Sequence, residues 1–105
     1  MANDTFRALA HPLRRDIVER LSGGTATVGE VTRGFGVSKP TVSRHLKLLE
    51  DAGVVSRVID GRTHRLALRP QALAEASGWI ESQRERCERL FDVVGEYLEE
   101  RKERR

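Results

Sequence analysis

From Gln71 to about Arg101 the apolar residues of this chain recur three and four positions apart. Leu73, Ala76, Ile80, Cys87, Leu90, Val94 and Tyr97 carry the spacing, and Gln83 fills its one polar step. That period draws a heptad-like stripe along one long helix. The whole chain has only 105 residues, and a domain so small has little surface of its own to lay against such a stripe. The expected cover is the same helix of a second copy. Trp79 and Phe91 flank the stripe, available to a partner or to the hairpin of their own chain.

Upstream the elements are shorter. "DTFRALAHPLRRDIVERLSGG" opens with a short helix around Phe6 and Leu9, and Pro12 starts a second, where its missing N–H costs nothing. Leu13, Ile17 and Leu21 line one face of that second helix, which Gly23–Gly24 ends. Thr27 and Glu30 then stand in the Thr-x-x-Glu spacing of a capping box, ahead of Val28, Val31 and Phe35. Gly36 permits a tight turn, Ser38 caps the next helix, and Gly53 stops it. Beyond it the period shortens: "VVSRVID" and "RTHRLAL" flank an Asp60–Gly61 turn, the signature of a β-hairpin. Pro70 closes the second strand, and the tail "RKERR" is expected to fray. No repeat, linker or low-complexity stretch divides residues 1–105, which read as one domain, mainly α with a small β-hairpin.

"SKPTVSRHLKLL", residues 38–49, carries the chemistry. Val42, Leu46 and Leu49 recur on one side of the predicted helix, which leaves Pro40, Ser43, Arg44 and Lys47 on the other. Arg44 is long enough for a bidentate contact with a guanine edge. Lys39, Thr41 and Ser43 sit where helix N–H groups also favour phosphate. Lys47 suits the phosphate backbone, and His45, between the faces, suits packing at the edge of the core. The hairpin adds Arg57, Arg62 and Arg65, with His64, around its turn. Residues 33–69 hold 8 Lys or Arg against 3 Asp or Glu, whereas residues 70–105 hold 7 against 9. The positive charge is therefore local, as a footprint for a polyanion requires.

Helix, helix, short helix, turn, helix, hairpin and long helix is the order of a winged helix-turn-helix (α-α-α-α-β-β-α). "LAHPLRRDIVERL", "SKPTVSRHLKLLEDAGVV" and "DGRTHRLAL" resemble the ArsR/SmtB family of dimeric winged helix-turn-helix transcriptional repressors, over roughly residues 5–80. The resemblance implies a homodimer built from the first and last helices, on a roughly palindromic operator in double-stranded DNA. Lys39, Pro40, Thr41, Ser43 and Arg44 match the family's reading part of the recognition helix, and Gly61 and Arg62 match its wing tip. With Lys47, Arg57 and Arg65, these are the expected DNA contacts. Phe6, Leu9, Leu73, Ile80, Cys87, Leu90, Val94 and Tyr97 are the expected dimer contacts.

The chain departs from the family's metal sensors. Arsenic- and cadmium-type members carry a cysteine pair near the recognition region, where "VGEVTRGFGVS" has none. Zinc- and nickel-type members use Asp and His on the last helix, yet His11, His45 and His64 all precede residue 70. No metal or other cofactor is expected, because a transition-metal site gathers three or four N or S ligands. The single cysteine, Cys87, leaves a thiol-redox-responsive repressor as an alternative, although Glu81, Glu85 and Glu88 oppose the arginines at 84, 86 and 89. A winged-helix scaffold dimer without specific DNA binding is the other, and the retained Arg44 and wing arginines speak against it. No nucleophile triad, phosphate loop or nucleotide motif is present, so no enzyme is expected. No apolar run is long enough for a membrane span, and a cytoplasmic protein is the expectation. No motif marks a pocket for a small-molecule inducer.

Overall fold

The computed structural model describes residues 2–103, and in it three of the five helices begin where a side chain relieves an orphaned N–H. The elements are α1 (Ala2–Ala8), α2 (Pro12–Ser22), β1 (Ala26–Thr27), α3 (Val28–Arg33), α4 (Lys39–Asp51), β2 (Val55–Asp60), β3 (Thr63–Leu68) and α5 (Pro70–Glu103). His11 caps α2, its Nδ1 accepting from the Leu13 N–H at 3.1 Å. Thr27 Oγ1 accepts from the Glu30 N–H at 3.2 Å at the start of α3. The capping box is only half formed, because the Glu30 carboxylate turns to Arg20 instead, at 3.8 Å. Ser38 Oγ accepts from the Thr41 N–H at 3.4 Å and opens α4.

The far end of α4 is closed by a Schellman motif. The Gly53 N–H donates to the Glu50 carbonyl at 3.0 Å and the Val54 N–H to the Leu49 carbonyl at 3.0 Å. Gly53 takes φ +75°, where a side chain would be strained. The chain leaves α4 with Val54 already buried.

The expected hairpin gains a third strand. The sheet order is β1-β3-β2, all antiparallel, with Ala26 and Thr27 opposite Leu66 and Arg65. A two-residue strand has no period to detect, which is why the sequence pattern omits it. The hairpin turn also sits one residue later than expected. Asp60 pairs with Thr63 as the last rung, so Gly61 and Arg62 form the two-residue loop. Gly61 has φ +61° and no other residue type takes a positive φ among those described. Glycine at the first loop position alone is the type II′ arrangement.

Ile17, Leu21, Val31, Val42, Leu46, Leu49, Val54, Val55 and Leu66 form one core between α2, α3, α4 and the sheet. Arg14 fastens α1 to it. Its Nε donates to the Ala8 carbonyl at 2.5 Å and its Nη2 to the Arg7 carbonyl at 3.3 Å, while Nη1 lies 3.4 Å from His45 Nδ1 on α4. One guanidinium thus holds the C-terminal carbonyls of α1 against α4.

α5 is the outlier. At about 1.5 Å per residue its 34 residues span about 50 Å. The molecule measures 75 × 25 × 21 Å with a radius of gyration of 20.5 Å, against about 13 Å for a compact domain of this length. Trp79 packs on Phe6 of α1, ring centroids 5.4 Å apart and edge-on, rather than on the hairpin. Beyond it the helix is bare: Leu90 is 64% exposed and Phe91 78%, and Val93, Val94, Tyr97 and Leu98 are exposed as well. Of the whole helix only Ala76 is buried. α5 starts at Pro70 and runs to Glu103, past the expected end at Arg101; the expected fraying of Arg104 and Arg105 falls outside the described residues.

Leu46 is wholly buried at the centre of the core. Leu46→Ala is expected to cost about 2–5 kcal/mol of folding stability, read as a lower urea midpoint at an unchanged slope.

Candidate nucleic-acid interface

Burying Val42, Leu46 and Leu49 decides what α4 shows to solvent. Lys39, Pro40, Arg44 and Lys47 are exposed on its other side, and Thr41 and Ser43 are half-buried. Between α4 and the hairpin lies a groove of about 480 Å³. Lys39 and Ser43 line it from α4, Arg57, Arg62, Thr63 and His64 from the hairpin, and Thr27, Val28 and Gly29 from the start of α3. Three cations therefore face one channel beside a helix N-terminus, an arrangement suited to phosphate.

The register separates the wing residues that the sequence groups together. Arg57 pairs with Leu66 and Ile59 with His64, so these side chains share the face turned to the groove and the core. Arg65 pairs with Val58 on the opposite face, where its Nη1 donates to Thr25 Oγ1 at 3.1 Å. Arg65 thus lies away from the groove. Arg57 is in it but engaged: its Nε donates to Glu50 Oε1 at 2.5 Å and its Nη1 to His64 Nδ1 at 2.9 Å. The Arg57 and Glu50 side chains are only 26% and 25% exposed. Glu50 thus ties the wing to the end of α4, a role its sequence position beside Asp51 did not reveal. Arg62, at the second loop position, is exposed at the wing tip beyond Gly61.

The comparisons with known proteins follow the same outline. A helix-turn-helix domain family matches residues 9–58, from the end of α1 into β2. The transcriptional repressor SdpR of Bacillus subtilis is 35% identical over 78 residues, which cover 74% of this chain and 87% of that protein. The chain belongs to the ArsR family of winged helix-turn-helix transcriptional regulators. A solved ArsR family regulator, RHA00566, superposes on this one with a TM-score of 0.77 at 35% identity, covering 82% of this chain and 89% of that one. The HTH-type regulator Rv2034 of Mycobacterium tuberculosis is 45% identical over 69 residues, 66% of this chain and 64% of that protein. These matches carry the DNA-binding domain of the ArsR family onto the segment that holds α4 and its groove.

Away from the groove, this ArsR-family regulator packs His45 of α4 against His11, ring centroids 4.5 Å apart and planes tilted by 43°. His45 therefore packs at the core edge, as its position between the faces suggested. Burial holds its pKa below the ordinary imidazole value, and the positive charges of His11, Arg14 and Arg44 press the same way. Among the described residues no three His, Cys, Asp or Glu side chains gather as a metal cage. Cys87 is exposed on α5. Of the other expected dimer contacts, Ile80, Leu90, Val94 and Tyr97 are exposed and Phe6, Leu9 and Leu73 half-buried.

Two outcomes follow from this geometry. Arg62→Ala should lower the salt slope of DNA binding by about one and leave folding stability within about 0.5 kcal/mol. Arg57→Ala should cost about 1 kcal/mol or more of stability as well, because it strands Glu50. Chemical denaturation beside a salt titration of DNA affinity separates the two. For His45, the folded protein holds the neutral ring and the unfolded chain takes the proton more readily. Stability should thus be full above about pH 6.5 and fall as acidification proceeds below it. Melting temperatures of the wild type and His45→Gln across this range check the point, and the variant should lose less.

Proposed function

We propose that two copies of this regulator bind a quasi-palindromic operator and repress transcription from it, acting in the cytoplasm. Each copy lays the N-terminal half of α4 in a major groove. The observation that carries this reading is the shared channel between α4 and the wing, with Arg44 and Lys47 exposed beside it. Arg44 reads a base edge; Lys39, Thr41 and Ser43 hold phosphates near the helix N-terminus, and Lys47 the backbone beyond. Arg62 at the type II′ turn reaches the next minor groove or its phosphates.

The bare apolar side of α5 supports the dimer. Residues from Ile80 to Leu98 leave an exposed apolar patch that none of the described residues covers, and such patches mark protein contacts. The same face of a second α5 offers an equally apolar partner, and a two-fold pairing makes it complementary to itself. α1 sits at the edge of that face through Phe6 and Trp79, which favours an arrangement with the two winged bodies on either side of the paired helices. The operator half-sites then fall one helical turn apart, about 34–36 Å, or a multiple of it.

Fluorescence anisotropy on a duplex from upstream of the regulator's own gene, with random competitor DNA present, tests the reading. With about 6–10 phosphate contacts, affinity should fall roughly a thousandfold or more between 50 and 200 mM salt. Arg44→Ala should cost about 1–3 kcal/mol of binding on the specific duplex only. Leu90→Asp with Val94→Asp should give a folded monomer by light scattering and lose the specific complex. A flat salt response, or an Arg44→Ala variant that binds like the wild type, rules the reading out.

A further inference from the structure

On the side of α1 turned from Phe6, a second cleft of about 260 Å³ opens against the end of the recognition helix. Asp4, Arg7 and Ala8 of α1 form one wall, Leu48 and Asp51 of α4 the other, and Arg14 of α2 reaches in from behind. Drug-sized ligands occupy about 300–1,000 Å³, so this cleft suits something smaller. We propose that it is an effector site for a small zwitterion with an apolar body, of the size and charge pattern of a free apolar amino acid, and that filling it weakens DNA binding.

Three observations carry this. First, the cleft holds two cations and two carboxylates, yet none of Asp4, Arg7, Arg14 and Asp51 forms an ion pair among the described residues. Second, Asp51 closes α4 with no basic residue in that last turn, so a carboxylate stands at the negative end of the helix dipole. Arg57 offsets Glu50 there, not Asp51. An ammonium placed by Asp51 and Asp4 meets both needs, and the carboxylate of the same ligand then faces Arg7. Third, the floor between the charges is apolar: Leu48 is 45% exposed with Ala8 beside it, and a short aliphatic side chain covers it.

The consequence for DNA runs through Arg14, and this half of the proposal rests on the DNA-binding reading. Its guanidinium bridges the carbonyls of Ala8 and Arg7 to His45, the neighbour of Arg44. A ligand carboxylate beside Arg7 competes for those N–H groups and loosens α1 from the recognition helix. By linkage, the ligand lowers DNA affinity by the factor by which DNA lowers ligand affinity.

Calorimetric titration of the full chain with valine, leucine, isoleucine, methionine and phenylalanine tests the cleft without DNA. At least one is expected to bind with a Kd of about 1 mM or tighter. Isopentylamine and 4-methylpentanoate, each lacking one charge, should bind at least about tenfold more weakly than leucine. Asp51→Asn and Arg7→Gln, both at exposed positions, should each weaken binding about tenfold with unchanged circular dichroism. Binding of none of the five, or binding indifferent to both variants, overturns the site. In the second arm, the binding amino acid should lower operator affinity about tenfold in the wild type and much less in Arg14→Lys. Unchanged operator affinity overturns the coupling. A protein that binds no DNA at all instead refutes the DNA-binding reading, while the calorimetry still decides the cleft.

Discussion

The outward face of α4 depends on three side chains that point the other way. Val42, Leu46 and Leu49 are wholly buried under α4, and a helix with one face fixed to a core has no freedom to rotate about its axis. Arg44 and Lys47 then point outward because they have no other direction available. The groove follows from the same constraint: β3 joins the core through Leu66, and its register with β2 puts Arg57 and His64 on the side facing α4. Specific recognition needs groups held in place before the ligand arrives, and here the hydrophobic core does the holding.

The polar ties refine this placement. Glu50 grips Arg57 and so keeps the wing at a set distance from α4. Arg14 does the same between α1 and α4, satisfying helix-end carbonyls with a planar donor that no other residue type supplies as well. Each tie joins segments far apart in sequence but adjacent in space. Each also sets a charged group beside α4.

Much of this was legible in the sequence, and the reasons are specific. The 3.6-residue period of Val42, Leu46 and Leu49, the Ser38 cap and the Gly53 stop delimit α4 because each is a local signal with one physical solution. The long stripe of α5 was equally plain. What escaped was non-local or too short to have a period. β1 is two residues that become a strand only because β3 lies beside them. Glu50 carried no local signal of its role until the fold brought Arg57 to it. In the sequence His11 is only a histidine outside the last helix, yet its ring caps α2. Arg65 was grouped with the other wing arginines by proximity in sequence, and strand alternation sends it to the other face.

The length of α5 has a mechanical consequence. Pinned to the winged body near Trp79, the rest of the helix is a lever of about 36 Å, and its far end moves by roughly 0.6 Å for each degree of rotation at the pin. In the proposed dimer, the separation of the two reading heads is therefore governed by an angle between helices. A packing change of about five degrees at the junction of α1 and α5 would shift the heads by roughly 3 Å, about the rise of one base pair. In that dimer Ala76, the one buried residue of α5, holds the adjustment of a ruler whose marks lie a helical turn of DNA away.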